Sequence, residues 1–362
     1  MNCWGTRFLA LLLGWGVVVF AQEVSAACQV EASAGEGETG RPLLKKLTSS
    51  CTLAEREAHA VDSAAILEAL EKGQPVELAG VIVRGDLSFD RLPVQTFKTN
   101  PGLTSEQQKS LNQVSEQELR LVRGALTISD SVVQGTVRHQ SAQGTLQFEG
   151  PVDFHGTTFA GGVDFSRSVF QGTVELSGAA FQKEAFFVQG QFTQSLACRE
   201  TKFGPHARFH RSTFHGSVDC AGALFDGLAE FLEVTFEQHA LFERVRFGSG
   251  TGFSGSRFAQ RASFYEAIFS RDTFFGFAVF EGPSSFSGAQ FLGRADFSDA
   301  DFRQPDDLAK ARFDQPPLLM RTKRAVQDQP GTGLNSPMGQ YAVTVGLLFL
   351  AAVLVAYALK RK

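Results

Sequence analysis

The sequence predicts an all-β solenoid, and three observations carry that prediction. Phe recurs every eleven residues, at Phe159, Phe170, Phe181, Phe192, Phe203, Phe214, Phe225, Phe236, Phe247, Phe258, Phe269, Phe280, Phe291, Phe302 and Phe313. A second series lies five places earlier, from position 154 to position 308. It holds Phe at eleven of its fifteen positions, Leu at Leu176 and Leu308, and Cys at Cys198 and Cys220. Two places before nearly every large residue stands a small or aliphatic one, such as Thr157, Ala179, Ser212 or Ala300 in the first series and Val152, Ala207 or Ala295 in the second.

Steps of five and six residues fit neither an α-helix nor a coiled coil. One large and one small inward residue per step suits a narrow tube with four flat sides. The ring fills the axis and the small residue lets the wall close. Such periodicity means stacked coils, each burying its apolar face on the next. Four steps make a coil of about 22 residues, so residues 22 apart should be stacked neighbours. Column 165, 187, 209, 231, 253, 275, 297 should be an unbroken Phe stack. Column 154, 176, 198, 220, 242, 264, 286, 308 should thin at Cys198 and Cys220. About seven and a half coils between 150 and 313, at ~4.8 Å each, give a tube ~36 Å long. The rival arrangement is an eleven-residue, two-sided coil, which would stack 187 on 198 and hold Cys198 and Cys220 about 10 Å apart, two strand spacings.

Stretches such as Ala295-Asp296-Phe297-Ser298-Asp299 and Ala300-Asp301-Phe302 resemble the pentapeptide-repeat family, in which a central Leu or Phe follows a small residue by two places. The resemblance covers roughly residues 150–313 and, more loosely, 76–148. It implies a right-handed quadrilateral β-helix. This chain departs from the family pattern by one inserted residue in every second quintet, which should bulge at two corners of each coil.

The ends are of different character. Residues 1–26 read as a signal peptide, with Arg7 ahead of an uncharged apolar run, Phe8 to Phe20, and small residues before Ala27 or Cys28 for cleavage. Residues 27–75 form an N-terminal segment and helical cap. Its first part, 27–50, is polar and Gly/Glu-rich and reads as a mobile segment. Its second, 53–72, looks helical, with Asp62 or Ser63 as a cap and Gly73 as the stop. Irregular first coils follow at 76–148, broken by a polar insertion at 98–118, and the regular repeat occupies 149–313. A Pro-containing stretch, 314–340, reads as a flexible linker. Tyr341 to Leu359 is uncharged over 19 residues, the length of a transmembrane helix, and Lys360, Arg361 and Lys362 form a basic tail of the kind that stays cytoplasmic. The expected topology is therefore a single-pass cell-membrane protein with its body exported to the periplasmic or extracellular side.

An oxidising compartment would allow Cys28 and Cys51 to bridge across a segment with little core of its own. Cys198 and Cys220 are either packing residues or a second disulfide between adjacent coils. No catalytic constellation is discernible, and no metal or cofactor is expected. His206, His210 and His215 fall on a β-coil, where His-x3-His is not a ligand pair, and read as solvated surface. Asp296, Asp299 and Asp301 fit the repeat pattern as well as they would fit a cation site. The structural residues are the Phe of the first series.

The leading functional expectation is a non-enzymatic scaffold or protein-interaction module of the cell envelope, with an unidentified envelope protein as partner and the membrane engaged through the C-terminal helix. Nucleic acid is not expected as a partner, since the net charge is −4. One alternative is a DNA mimic directed at topoisomerases, known among cytoplasmic members of the resembled family. It would need a strongly acidic face, whereas residues 152–313 hold 19 acidic and 15 basic groups. The other is an extracytoplasmic polysaccharide-acting β-helix. The body between the two termini has no Trp and only Tyr265 to offer a glycan.

Overall fold

The computed structural model describes residues 27–33, 42–95, 118–139 and 144–325. The chain winds as a four-sided β-solenoid. Three of its sheets are eleven strands deep and the third is nine deep among the described residues. Nearly every strand is two or three residues long and pairs in parallel with its counterpart in the coils above and below.

In the regular region the offset is 22 residues on every face. Phe159 pairs with Phe181, Val163 with Ala185, Phe170 with Phe192 and Val174 with Leu196. The Cα atoms of Cys198 and Cys220 are 4.4 Å apart. That distance rejects the eleven-residue coil and fixes the four-sided one.

The Phe rings fill the axis. In the column of the third sheet, Phe187, Phe209, Phe231, Phe253, Phe275 and Phe297 stack at 4.9–5.0 Å with interplanar angles of 0–5°. Phe165 joins this stack more loosely, tilted by 32°. Face-to-face stacking is not the arrangement a free ring pair prefers, and here the coil spacing imposes it. Edge-to-face contacts between columns offset it, such as Phe231 on Phe242 at 5.4 Å and 74°. The facing column thins at Leu176, Cys198 and Cys220 as its sequence implies, and all three are buried.

Two kinds of corner alternate. After Phe154 the chain turns in four residues, with Thr157 N–H donating to the Phe154 carbonyl and Gly156 at φ +63°. The same left-handed position recurs after the rings of the third-sheet column, at Arg167, Gln189, Arg211 and Glu233. These are the tight, five-residue steps. The six-residue steps fall at the other two corners. There Gly227 lies so close to the previous coil that a Cβ would sit 1.8 Å from the Pro205 carbonyl oxygen.

Inward Ser and Thr at the small positions tie coils together. Thr201 Oγ1 donates to the Leu176 carbonyl at 2.8 Å, and Ser212 Oγ accepts from Gly190 N–H at 3.0 Å. These two buried hydroxyls thus find partners, whereas Ser168 Oγ and Ser284 Oγ are buried without one among the described residues.

The N-terminal end departs from the sequence expectation. Residues 27–33 and 42–50 are not a loose polar segment. β1 (Val30–Ser33) pairs antiparallel with β2 (Leu43–Leu47), and β2 joins the first sheet parallel to β4 (Val76–Ala79). The region 53–72 is two helices rather than one. α1 (Leu53–Ala58) carries a capping box between Thr52 and Glu55, and α2 (Ser63–Glu71) is capped by Asp62. Between them β3 (Val61–Asp62) pairs with β5 (Ile82–Arg84) and belongs to the second sheet. The break falls where Val61, a β-branched residue 6 % exposed, pairs with Val83 in the wall. α2 buries Ile66, Leu67, Ala69 and Leu70 against the first coil and closes that end.

The first coils are longer than 22 residues. β4 pairs with the strand Leu126–Ser129 at an offset of 50, and that strand with Val152–Asp153 at 26. The insertion at 98–118 lies outside the described residues except for Glu118. At the other end, the described part of the expected linker, 314–325, is not a linker, and residues 326–340 lie outside the described residues. Residues 314–325 complete one more coil, in which Lys323–Arg324 pairs with Asp301–Phe302. Pro316 and Pro317 fall beyond a corner, before Leu318, whose N–H bonds the Ala295 carbonyl at 2.9 Å, so the prolines cost the wall no ladder bond there. The signal peptide, the span at 341–359 and the tail at 360–362 lie outside the described residues. Among the described residues no helix is long and apolar enough to cross a membrane.

Candidate interaction surfaces

With the interior given over to Phe, the side chains available for chemistry are those on the four outer faces. Three faces are mostly polar or small. The third differs. Phe186, Val188, Leu232 and Phe274 lie half-buried on it, and Leu228 is 46 % exposed. At its edge stands Phe277, 66 % exposed, with φ at +59°. Gly255 holds the equivalent corner one coil earlier at φ +70°. A bulky residue in the left-handed region is uncommon and costs backbone energy.

Cations lie over two of these rings. The Arg208 guanidinium is 5.2 Å from the Phe186 centroid, and His206 meets the same ring edge-on at 5.5 Å. Arg294 is 5.7 Å from the Phe274 centroid. Glu230 accepts from His206 Nε2 at 2.9 Å and from Arg208 Nε at 2.6 Å. Burial alone would raise the Glu230 carboxyl, but these two hydrogen bonds outweigh it and hold the group below its ordinary value. His206 is thus engaged with a carboxylate, and His215 likewise meets Glu237 at 2.9 Å.

The corners carry ion pairs between adjacent coils. Arg211 meets Glu233 at 2.8 Å, Arg257 and Arg303 both reach Glu281, and Arg321 meets Asp299. Asp301 receives Arg303 at 3.2 Å. The three Asp near the last coils therefore do not converge: Asp299 and Asp301 face arginines. No group of metal-ligating side chains occurs among the described residues.

Both cysteine pairs are joined. Cys28–Cys51 ties the first strand to the turn before α1, and Cys198–Cys220 crosses between two coils inside the tube.

A polar cluster at the first coils was not foreseen. His139 and Arg120 are almost fully buried. His139 Nε2 meets the Gly144 carbonyl at 3.2 Å, and Nδ1 faces Asp90 at 3.3 Å. Arg120 donates to the Asp90 carbonyl and to Glu118. These residues are scattered over fifty positions, and no local motif unites them. Burial pushes the His139 pKa down, the Gly144 carbonyl and Asp90 oppose it, Arg120 assists it, and the net shift is downward.

A depressed folded-state pKa has a definite sign. Above the ordinary imidazole value of 6.5 both folded and unfolded chains are neutral at this position. As pH falls through that value the unfolded chain takes the proton first, so stability is lost. The carboxylates held low by Arg, such as Glu233 and Glu281, act only below the ordinary Glu value of 4.5. Burial would lower the His155 pKa, but Asp153 and Asp130 outweigh it and raise it, a contribution of opposite sign in the same window. We therefore expect the change in melting temperature from pH 7.5 to pH 5 to be more negative in the parent chain than in His139→Gln. An equal change in both proteins would show that His139 is not the source.

A family model for pentapeptide repeats, nine copies long, matches residues 147–189, 221–268 and 264–312. Residues 147–312 form a pentapeptide-repeat domain. No curated protein and no solved structure matched the chain in the parallel comparisons. The matched segments fall in the regular coils, whose wall is built on the repeated inward residue. The eleven-residue period is how this domain keeps that residue inward with an extra residue at two corners.

Proposed function

We propose that the protein is a membrane-tethered, exported β-helix that serves as a non-enzymatic scaffold or protein-interaction module of the cell envelope. The observation that carries the interaction reading is Phe277. Its ring is 66 % exposed at a corner where the other coils place Gly255 or polar residues such as Arg211, Glu233 and Asp299. An aromatic kept in water where the column otherwise carries Gly or charge has the chemistry of a contact residue. Phe274 and Arg294 extend the patch.

Two further observations support export. The sequence carries an uncharged run at 341–359 and an apolar run near its N-terminus, and Cys28 and Cys51 lie within bridging distance, an arrangement that suits a compartment outside the cytoplasm. The DNA-mimic alternative is disfavoured by the ladders of Arg between the acidic groups, which break any continuous negative face.

The test is site-specific photo-cross-linking in intact cells. A cross-linking residue at Phe277 should give an adduct of one defined mass, while one at Thr235 on the fourth face should give none. Identical adducts from both positions, or none from either, would refute the assignment of the third face. External protease on spheroplasts checks the topology. The body should be cut, and its full protection beside a cleaved exported control would refute export.

A further inference from the structure

The two ends of the solenoid are built differently. α2 and the paired strands β1 and β2 cover the first coil, whereas among the described residues nothing stacks on the last one. Phe313 ends its column 4.8 Å from Phe291 and is half-buried, and Leu319 stands where the next ring of the third-sheet column would be. Leu318, Leu319 and Met320 are 37 %, 41 % and 60 % exposed. Apolar side chains grouped in this way on a water-facing end mark a contact.

Charge is distributed along the same axis. Residues 149–302 hold twelve basic and eighteen acidic side chains, while residues 303–325 hold six basic and three acidic. Of the acids at this end, Asp306 is buried against Arg324 and Asp314 meets Arg312 at 3.1 Å. Arg303 and Arg321 are spent on Glu281 and Asp299 of the previous coil. Lys310 and Lys323 are exposed. The tube is thus acidic along its length and basic and apolar at its C-terminal end. Only fifteen residues, 326–340, separate that end from the uncharged run that begins at Tyr341.

We propose that the last coil, residues 304–325, seats directly on the surface of an anionic bilayer, with Leu318, Leu319 and Met320 entering the headgroup region and Lys310 and Lys323 facing lipid phosphates. The tether then fixes where the column stands, and this contact fixes that it stands on end. An apolar patch with basic neighbours is the composition that binds a lipid interface. Each Lys near such a surface strengthens partitioning about fivefold. The inference rests on the tethered reading above.

The full-length chain is reconstituted into vesicles of phosphatidylcholine and phosphatidylglycerol containing lipids brominated near the headgroup end of the acyl chain. Leu319→Trp and, separately, Met320→Trp serve as reporters, with Leu228→Trp as the control on the side of the tube. The parent chain has Trp only at Trp4 and Trp15, so emission is read as the difference from the parent. Trp at 319 and at 320 should each lose most of its emission to bromine, and Trp at 228 should lose none. Adding Lys310→Glu and Lys323→Glu should restore the emission. Resistance to alkaline carbonate extraction is measured on the same vesicles. If the protein resists extraction but neither end reporter is quenched, the seating is overturned and the tether stands. If carbonate removes the protein, the tether fails and the seating with it. Absence of quenching together with a doubled mass by sedimentation would assign the end to a second copy instead. Absence of quenching in a monomer would assign it to residues 326–340.

Discussion

Phe236→Ala should destabilise the central coils by about 3–5 kcal/mol, the usual cost of emptying a buried ring site. Phe236 is 1 % exposed and stacks between Phe214 at 5.2 Å and Phe258 at 4.9 Å, with Phe242 meeting it edge-on at 6.0 Å. Coil spacing holds those neighbours in place, so the cavity cannot collapse cheaply. Because each coil touches only the next, the loss should be local. Amide exchange should quicken in strands two coils either way and hardly change near α2. Glu237→Ala removes an exposed pair with His215 and should cost no more than about 1 kcal/mol. Equal loss from the two substitutions would mean that the inward assignment of this column is wrong.

Replacing Cys28 and Cys51 together by Ser should cost about 3 kcal/mol, the stabilisation expected for a closed loop of this length. The sequence separation is 23, and the loop contains β1, β2 and the segment between them. Among the described residues β1 pairs only with β2, at the edge of its sheet, so its place depends on the bridge. The double variant should expose the β1 and β2 amides to rapid exchange while leaving the Phe columns protected. Unchanged protection of β1 would show that its pairing with β2 suffices alone. Buried Cys198 and Cys220 offer no such test, because replacing them also changes the packing of the column.

The regular coils were legible in the sequence because a narrow axis accepts few side chains. A ring that must stack on an identical ring every 22 residues leaves a periodic trace that no helix produces. Legibility failed where the structure depends on something other than that axis. β1 and β2 pair through backbone groups and carry no Phe, so their polar composition read as loose chain. Val61 is a single residue pulled into the wall between two helices, too short to break a helical pattern. At the far end the ring series stops at Phe313, and the final coil places Leu319 and Arg324 where rings had stood. It is held by hydrogen bonds such as Thr322 Oγ1 to the Phe297 carbonyl at 2.8 Å, which spacing does not reveal. Among the surface residues, the excess of apolar groups on one face becomes visible only after the 22-residue register places Phe186 and Phe274 in one outward column, four coils apart, with Leu228 and Leu232 on the same face between them. His139, Arg120 and Asp90 meet across a coil of irregular length, and composition gives no warning of such a meeting.

A fixed register also makes the molecule a gauge of height. Every 22 residues add one strand spacing, about 4.8 Å, to the distance between the last coil and everything before it. Phe277 lies two coils from the C-terminal end and Phe186 six. A patch is thus assigned its elevation by residue number alone, and duplicating one coil, such as residues 238–259, would lift the N-terminal cap by one graduation without altering a single contact elsewhere.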